Sequence, residues 1–408
     1  MSQLIETRSN NLIEAGHANG IVCCATNGSG EFNYTKALGS RTLLSGEKTA
    51  QQADDVLSIT FATALITAIA ALQCVEDGRF GLTEDVFAHA PEIESKQILA
   101  SGFAEAPKDA EPVLEPRKGP ITLESLLCHS SGVVSDIMSE DLGRWSATCA
   151  PHNTTAQLTV EETYVYPLGF QPGEGWMWGP GIDWVGRILE RVTNKSLGDF
   201  VQKRVFAPLG ITDAEFYPVQ REDLQKRQVD RNPQDPEGYG KAATGGDGAK
   251  AHKGHFGNQD LFMTAVDFVK VLQSLLSNDE KLLKKETVDN MFKDHLNEKG
   301  SKDLNEALAG PLGIFFSPDI AAEVKTGHGL AGLVTLEDIE DGYGAGTLTW
   351  PGSMPLLWFI DRKNDLCGVV STQAPVGNVH PRVSGHKHTV RKGLYAEYAA
   401  WREQKKQA

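Results

Sequence analysis

Long apolar runs are missing from this chain of 408 residues. The most apolar stretch, Ile59 to Leu72, is about 14 residues and is interrupted by threonines. A bilayer span takes roughly 20, so no membrane segment is expected. No secretory leader is expected either, because the opening MSQLIETRSNNLIEAG is polar and amphipathic. Basic charge is short: 39 Lys and Arg stand against 54 Asp and Glu, a net −15. That balance disfavours nucleic acid and anionic membrane as partners, since both need positive surface. Cysteine is sparse. Cys23, Cys24, Cys74, Cys128, Cys149 and Cys367 are scattered without C-x-x-C spacing. They read as reduced thiols of a cytoplasmic protein. No glycine-rich phosphate loop is present, because GAGTLTW (Gly344–Trp350) lacks the strand–turn–helix context a dinucleotide needs. His380, His386 and His388 cluster near the C-terminus, but no cysteine or carboxylate spacing supports a metal. No cofactor is expected.

The chain that remains has ordinary globular composition, 40% hydrophobic and 23% charged. Its length is large for one compact core, so a two-lobed unit is expected. Residues 2 to 16 fit an amphipathic helix, with Leu4, Ile5, Leu12 and Ile13 on one face. GIVCCATNGSGEFNYTKALGSR reads as a hairpin turning at Asn27-Gly28-Ser29-Gly30. A buried helix runs from about Ala62 to a terminating glycine, Gly78. Residues 91 to 120 read as surface loop. Thr122 caps a short helix, and residues 182 to 207 are helical with a break at Asn194-Lys195. Gln220 to Gly254 reads as a long polar loop, and helix returns from Thr264 to His295. GAGTLTW, PLLWFIDR and LCGVVSTQ read as antiparallel strands, followed by a helix from about His388 to Glu403. This order predicts an antiparallel sheet built from both chain ends with a helical lobe inserted.

Three segments carry a family likeness: LSITFATALITAIAALQ (Leu57–Gln73), ITLESLLCHSSG (Ile121–Gly132) and the run from Pro172 to Ile211 that begins PGEGWMWGPGIDWVG. Together they resemble the serine β-lactamase and penicillin-binding-protein superfamily. The likeness is to its fungal esterase and acyltransferase branch, the lovastatin-type transesterases. The resemblance implies an α/β plus α fold in which an antiparallel sheet is flanked by helices. Residues 1–90 and 300–408 would form the α/β lobe and 91–299 the mainly helical lobe, with a pocket between them. It also implies a site built from three motifs, and this chain departs from each. Family members carry Ser-x-x-Lys at the start of the buried helix, nucleophile and proton acceptor. The flank Ile69-Ala70-Ala71-Leu72-Gln73 places Phe61 at the serine and Ala64 at the lysine. Neither can attack a carbonyl or take a proton. The tyrosine of the second motif falls on Trp178, whose indole N–H donates but is no base. The third motif falls on Trp350, Pro351 and Gly352 in HGLAGLVTLEDIEDGYGAGTLTWPG. Pro351 removes a strand N–H, which predicts an edge strand or an open face. The family's oxyanion hole uses backbone N–H groups, here those of Phe61 and Ser353, and these do not depend on side chain.

These substitutions lead to an expectation. The chain reads as a repurposed member that binds a small hydrophobic, secondary-type metabolite in an aromatic cleft. It would promote a non-covalent cyclisation, isomerisation or elimination. Two alternatives stand beside it: a catalytically inactive binding protein, and an esterase or acyltransferase with a non-standard nucleophile among Ser58, Thr60 and Thr63. The cleft would be lined by Phe61, Ala64, Trp178, Trp350, Gly352, Ser353 and Asn258. His255, His328 and Asp260 are the candidate acids and bases, since they fall near the expected rim. His129 in CHSSG reads as part of a structural turn, and Trp176, Trp184 and Trp358 as core or wall. Oligomeric state is not legible in the chain.

Overall fold

The computed structural model describes residues 2–43, 45–150, 157–230, 252–316, 320, 323–340, 342–350, 356–373 and 381–407. Its centre is an antiparallel sheet of eight strands drawn from both ends of the chain. In spatial order they are Lys48–Ala50, Asn33–Thr42, Gly20–Thr26, Leu366–Gln373, Leu356–Asp361, Leu348–Trp350, Leu333–Thr335 and Thr326–His328. The first hairpin forms as its turn residues predict, pairing Thr26 with Asn33 and Gly20 with Gly39. Gly20–Thr26 is buried along its whole length, which explains a run of apolar residues without alternation.

Each face of the sheet is covered by helix, as an apolar sheet requires. On one face the terminal helices Ser2–Glu14 and Pro381–Gln407 pack together, with Ile5 and Leu12 meeting Val390, Leu394 and Tyr398. The C-terminal helix starts well before the expected His388. Pro381 opens it, a position proline tolerates because the first helical N–H has no intrahelical partner. On the other face Ala265–Ser277 packs on Gly20–Thr26, Leu356–Asp361 and Leu366–Gln373.

The helix Thr63–Glu76 runs through the centre and packs on Gly181–Thr193. Every residue from Thr63 to Cys74 is buried. It ends where Gly78 turns left-handed at φ 68°. Gly181–Thr193 stops at Asn194, φ 52°, the break anticipated from sequence. Thr122 caps Leu123–Leu127 in a reciprocal capping box with Ser125. Five cysteines are buried thiols and Cys149 is exposed. Among the described residues no helix is long and apolar enough to cross a membrane. Most of the polar segment from Gln220 to Gly254 lies outside the described residues, as does His380.

One expectation is corrected here. Leu348–Trp350 is not an edge strand: it pairs with Leu333–Thr335 on one side and Leu356–Asp361 on the other. Leu348 and Thr349 are paired on both sides, and Trp350, the residue before Pro351, pairs with Trp358 alone. Pro351, Gly352 and Ser353 lie outside the described residues.

Candidate active site

The approach to the central helix is a sharp turn. Strand Val56–Ser58 pairs with Leu261–Thr264, and the Ile59 N–H donates to Leu261 O at 3.0 Å. The chain then turns through Thr60–Ala62 into the helix. Thr60 carries the reversal at φ 45°, a strained conformation for a β-branched residue. Such strain persists only where the surroundings enforce it, and it concentrates at functional positions. The turn closes with the Ala62 N–H on Ile59 O at 3.0 Å. Helical geometry leaves the preceding Phe61 N–H without an intrahelical acceptor. Its place at the start of the central helix is the positive end of the helix dipole, where a developing oxyanion is favoured.

The three hydroxyls near this turn differ in their surroundings. Thr63 is committed: its Oγ1 donates to Thr60 O at 2.6 Å and accepts the Leu261 N–H at 3.3 Å. Thr60 Oγ1 is buried and makes no hydrogen bond to the protein. Ser58 is half-buried at the strand end.

Phe61 is half-buried, and its ring lies 4.9 Å from that of Trp178. Ala64 lies one helical turn further on, within the packed core. Trp178 is set by an extended segment running beside residues 129–135. The Met177 N–H donates to His129 O at 3.2 Å, and the Ser135 N–H to Trp178 O at 3.2 Å. Gly179 permits that approach, since a Cβ there would meet Val133 O at 2.1 Å. Trp176, two residues before Trp178, enters a second group of rings. It lies 6.0 Å from His328 and 6.5 Å from His129. His129 stacks on Trp350 at 5.5 Å and meets His328 edge-on at 5.4 Å, and His328 lies 5.3 Å from Trp350. Phe316 contacts both Trp176 and Trp350. The sheet joins the two groups: the turn Thr60–Ala62 packs on Leu356–Asp361, whose Trp358 pairs with Trp350.

The candidate acids and bases separate. His328 is 1% exposed, and burial pushes its pKa down to about 3, so it is a neutral ring near pH 7. It is a hydrogen-bonding group there rather than a proton acceptor. His129 is likewise held well below its ordinary value, by burial and then by His328. His255 is not brought to Phe61. Its Nδ1 accepts the Gly198 N–H at 3.0 Å at the start of helix Leu197–Val201, and its ring rests on Phe216. Asp260 is engaged elsewhere too, since its Oδ2 bonds His252 Nδ1 at 2.7 Å and accepts the Phe256 N–H. Both side chains do structural work that local sequence could not reveal. The Asn258 N–H donates to Asp183 Oδ1 at 2.8 Å, and the Tyr164 hydroxyl donates to Asp183 Oδ2 at 2.8 Å. Burial pushes the Asp183 carboxyl up to about 7. The Thr67 hydroxyl donates to Gly257 O at 2.6 Å, tying this polar cluster to the central helix. From sequence, His129 and Trp176 read as structural, and Phe316 carries no signal. The one signal for the first was its adjacency to the Ser130-Ser131-Gly132 turn, where φ 58° turns the chain. Among the described residues no group of His, Cys, Asp and Glu has metal-ligand geometry.

Known proteins resemble this chain along most of its length. A beta-lactamase family profile matches residues 24–386. A lovastatin esterase from Penicillium rubens is 51% identical over 395 residues, covering 96% of this chain and 98% of that protein. A monacolin J acid methylbutanoyltransferase from Aspergillus terreus is 31% identical over 409 residues, covering 97% of this chain and 96% of that protein. A solved variant of simvastatin synthase from Aspergillus terreus superimposes with a TM-score of 0.85 at 32% identity, over 98% of both chains. The relatives' names are those of an esterase and an acyl transferase, alike along nearly the whole chain. This overturns the leading expectation of a non-covalent cyclase, isomerase or lyase, and that of an inactive binding protein. The esterase or acyltransferase alternative fits instead. The chain belongs to the beta-lactamase family.

Proposed function

We propose that this protein is an esterase or acyltransferase acting on an esterified, polyketide-type secondary metabolite, with a nucleophile other than the family serine. The observation that carries this reading is the 51% identity, end to end, with a lovastatin esterase. The Phe61 N–H at the start of the central helix supports it, because it is a backbone donor that survives the side chain change. The attacking group is the hydroxyl of Thr60. It adjoins that donor, sits on a strained backbone and has no hydrogen-bond partner in the protein. Its Oγ1 would bond to the acyl carbon while the ester C–O bond breaks, and the threonine proton would end on the departing alcohol. Water or a second alcohol would then take the acyl group.

The test is a fluorophosphonate probe followed by intact mass and peptide mapping, run beside hydrolysis of p-nitrophenyl esters and of lovastatin. Stoichiometric labelling at Thr60 with ester turnover supports the reading. Turnover with the label on Ser58 or Thr63 keeps the activity and moves the nucleophile. Absence of both labelling and turnover overturns it.

A further inference from the structure

A cavity of about 370 Å³, within the range of small-molecule sites, shares no lining residue with the rings around Phe61 and Trp178. Four segments meet to form it. Leu114 comes from the strand Leu114–Glu115, which pairs with Ile98–Leu99. Trp145 comes from the helix Glu140–Cys149. Val165 and Pro167 lie in the segment that leads to Leu168, whose N–H donates to Gln97 O at 2.9 Å. Lys96 lies between the helix Pro91–Glu94 and the strand Ile98–Leu99. Leu114 and Val165 are among the large apolar side chains left exposed, at 38% and 36%. Apolar residues exposed together on a cavity wall mark a binding surface, whereas scattered ones do not.

Lys96 sets the polarity of the cavity. Its ammonium donates to Tyr166 O and lies 5.8 Å from the centre of the Tyr166 ring. Both partners are neutral, and an ammonium has three protons to give. Burial pushes its pKa down to about 8, and a carboxylate alongside would push it the other way. The two glutamates that line the cavity are held by arginines. Glu92 accepts from Arg191 through both oxygens, at 2.7 and 2.9 Å. Glu161 Oε1 accepts from Arg187 at 2.6 Å and from Arg191 at 2.5 Å. Among the described residues no carboxylate forms an ion pair with Lys96. A cation without a counter-charge, set beside apolar walls, matches an amphipathic anion. A carboxylate would supply the missing charge, and a hydrocarbon body would cover the walls. A small inorganic anion would satisfy the ammonium and leave the walls wet.

We propose that this cavity is a binding site for an apolar monocarboxylate, with the carboxylate on Lys96 Nζ and the hydrocarbon chain against Leu114, Trp145, Val165 and Pro167. Two sources share that chemistry: the short acid released when an ester is hydrolysed, and a longer fatty acid.

The experiment uses the full-length protein with hexanoate, decanoate and the primary amide of each. Limiting acetic anhydride acetylates lysines, and peptide mapping reads the extent at Lys96. Calorimetry gives the affinities. At least one acid is expected to slow acetylation of Lys96 and to bind about tenfold more tightly than its amide, the difference a charge-assisted hydrogen bond makes. Protection by hexanoate assigns the site to the short acid, and protection by decanoate alone assigns it to the fatty acid; either supports the site. Lys96→Met keeps the length of the stem and removes the charge, so the acid should lose about tenfold in affinity while the amide binds as before. Leu114→Asp changes an exposed residue and places a like charge on the cavity wall, so it should weaken the acid several-fold. Circular dichroism shows whether each variant is folded, and Leu114→Asp decides if Lys96→Met is not. Failure of both acids to protect Lys96, or equal affinity for acid and amide, overturns the site. An acid whose affinity is unchanged in the folded variants binds elsewhere, which overturns it as well.

Discussion

The ring of Phe61 rests against that of Trp178, with centroids 4.9 Å apart and planes inclined by 52°. These residues stand where the family resemblance expects a nucleophile and a proton shuttle. A tilted aromatic pair contributes contact and excludes water, but it moves no proton. On the acyl-ester reading, an acyl carbonyl would have to reach the Phe61 N–H beside this ring pair. Phe61→Ala should therefore lower stability by about 1–2 kcal/mol, given a half-buried aromatic ring. It should raise turnover of a small activated ester several-fold, because the backbone donor remains and the ring does not. Urea unfolding and steady-state kinetics on p-nitrophenyl acetate check both. A variant that loses stability without gaining rate would show that the N–H is not used.

Restoring the family residues should not restore the family rate. Ala64 lies in the packed core, 3% exposed. A lysine there would overpack its surroundings at a cost of about 1–3 kcal/mol. Trp178 would still stand where the family resemblance expects the shuttle. Phe61→Ser with Ala64→Lys is expected to be less stable than the parent and no faster on an activated ester. A rate jump of several orders of magnitude would show that the aromatic residue at 178 is no obstacle.

Thr60 offers a separable test of strain and chemistry. Its φ of 45° is one that glycine adopts at no steric cost. Relief of such strain amounts to about 1–3 kcal/mol, offset in part by the flexibility glycine gives the unfolded chain. Thr60→Gly should thus be at least as stable as the parent while losing fluorophosphonate labelling. Thr60→Ser should keep it. If Thr60→Gly labels as fully as the parent, the hydroxyl is not the nucleophile.

How much of this was legible in the chain follows from the range of each interaction. Thr122, Gly78 and Asn194 act on their own helix ends, so local pattern located them. The central helix was placed by its own apolar run. Pro351 led to an expected edge strand or open face for Leu348–Trp350, yet the proline lies just past a strand that Leu333–Thr335 pairs on its outer side. His255 and Asp260 were given chemical roles because histidine and aspartate near a rim invite them. Their bonds to Gly198 and His252 depend on a tertiary arrangement that spacing does not encode. Conversely, His129 was assigned only to a turn, and its ring meets Trp350 and His328 across more than 190 residues of chain.

The buried histidines make a prediction about acid. His328 is pushed down to about 3 in the folded protein and His386 to about 4, each mainly by burial. An unfolded histidine titrates near 6.5. Between these values the unfolded state binds more protons, so stability from each ring is present above about 6.5 and is lost as pH falls. The slope is about 1.4 kcal/mol per pH unit for each proton. His328→Phe should flatten the fall in unfolding free energy between about pH 6 and 4 by roughly one proton. Parallel slopes for parent and variant in urea titrations would show that His328 is charged in the folded state.

Asp183 works in the opposite direction, in a different window. Its folded pKa is raised to about 7 by burial, against 3.8 as the ordinary value. The folded state therefore binds the extra proton between those values. Its contribution is full below about pH 4 and is lost as pH rises through 7. Asp183→Asn removes the titration while keeping the geometry. The amide oxygen can still accept the Asn258 N–H, and the amide nitrogen can donate to the Tyr164 oxygen, reversing that bond. Relative to the parent, the variant should gain about 1.4 kcal/mol per pH unit between pH 4 and 7 and level off above 7. The Thr67 and Gly257 link carries this cluster to the central helix, so the same variant should show activity less sensitive to pH across that window. A stability difference that stays constant from pH 4 to 8 would mean that Asp183 is ionised in the folded protein throughout.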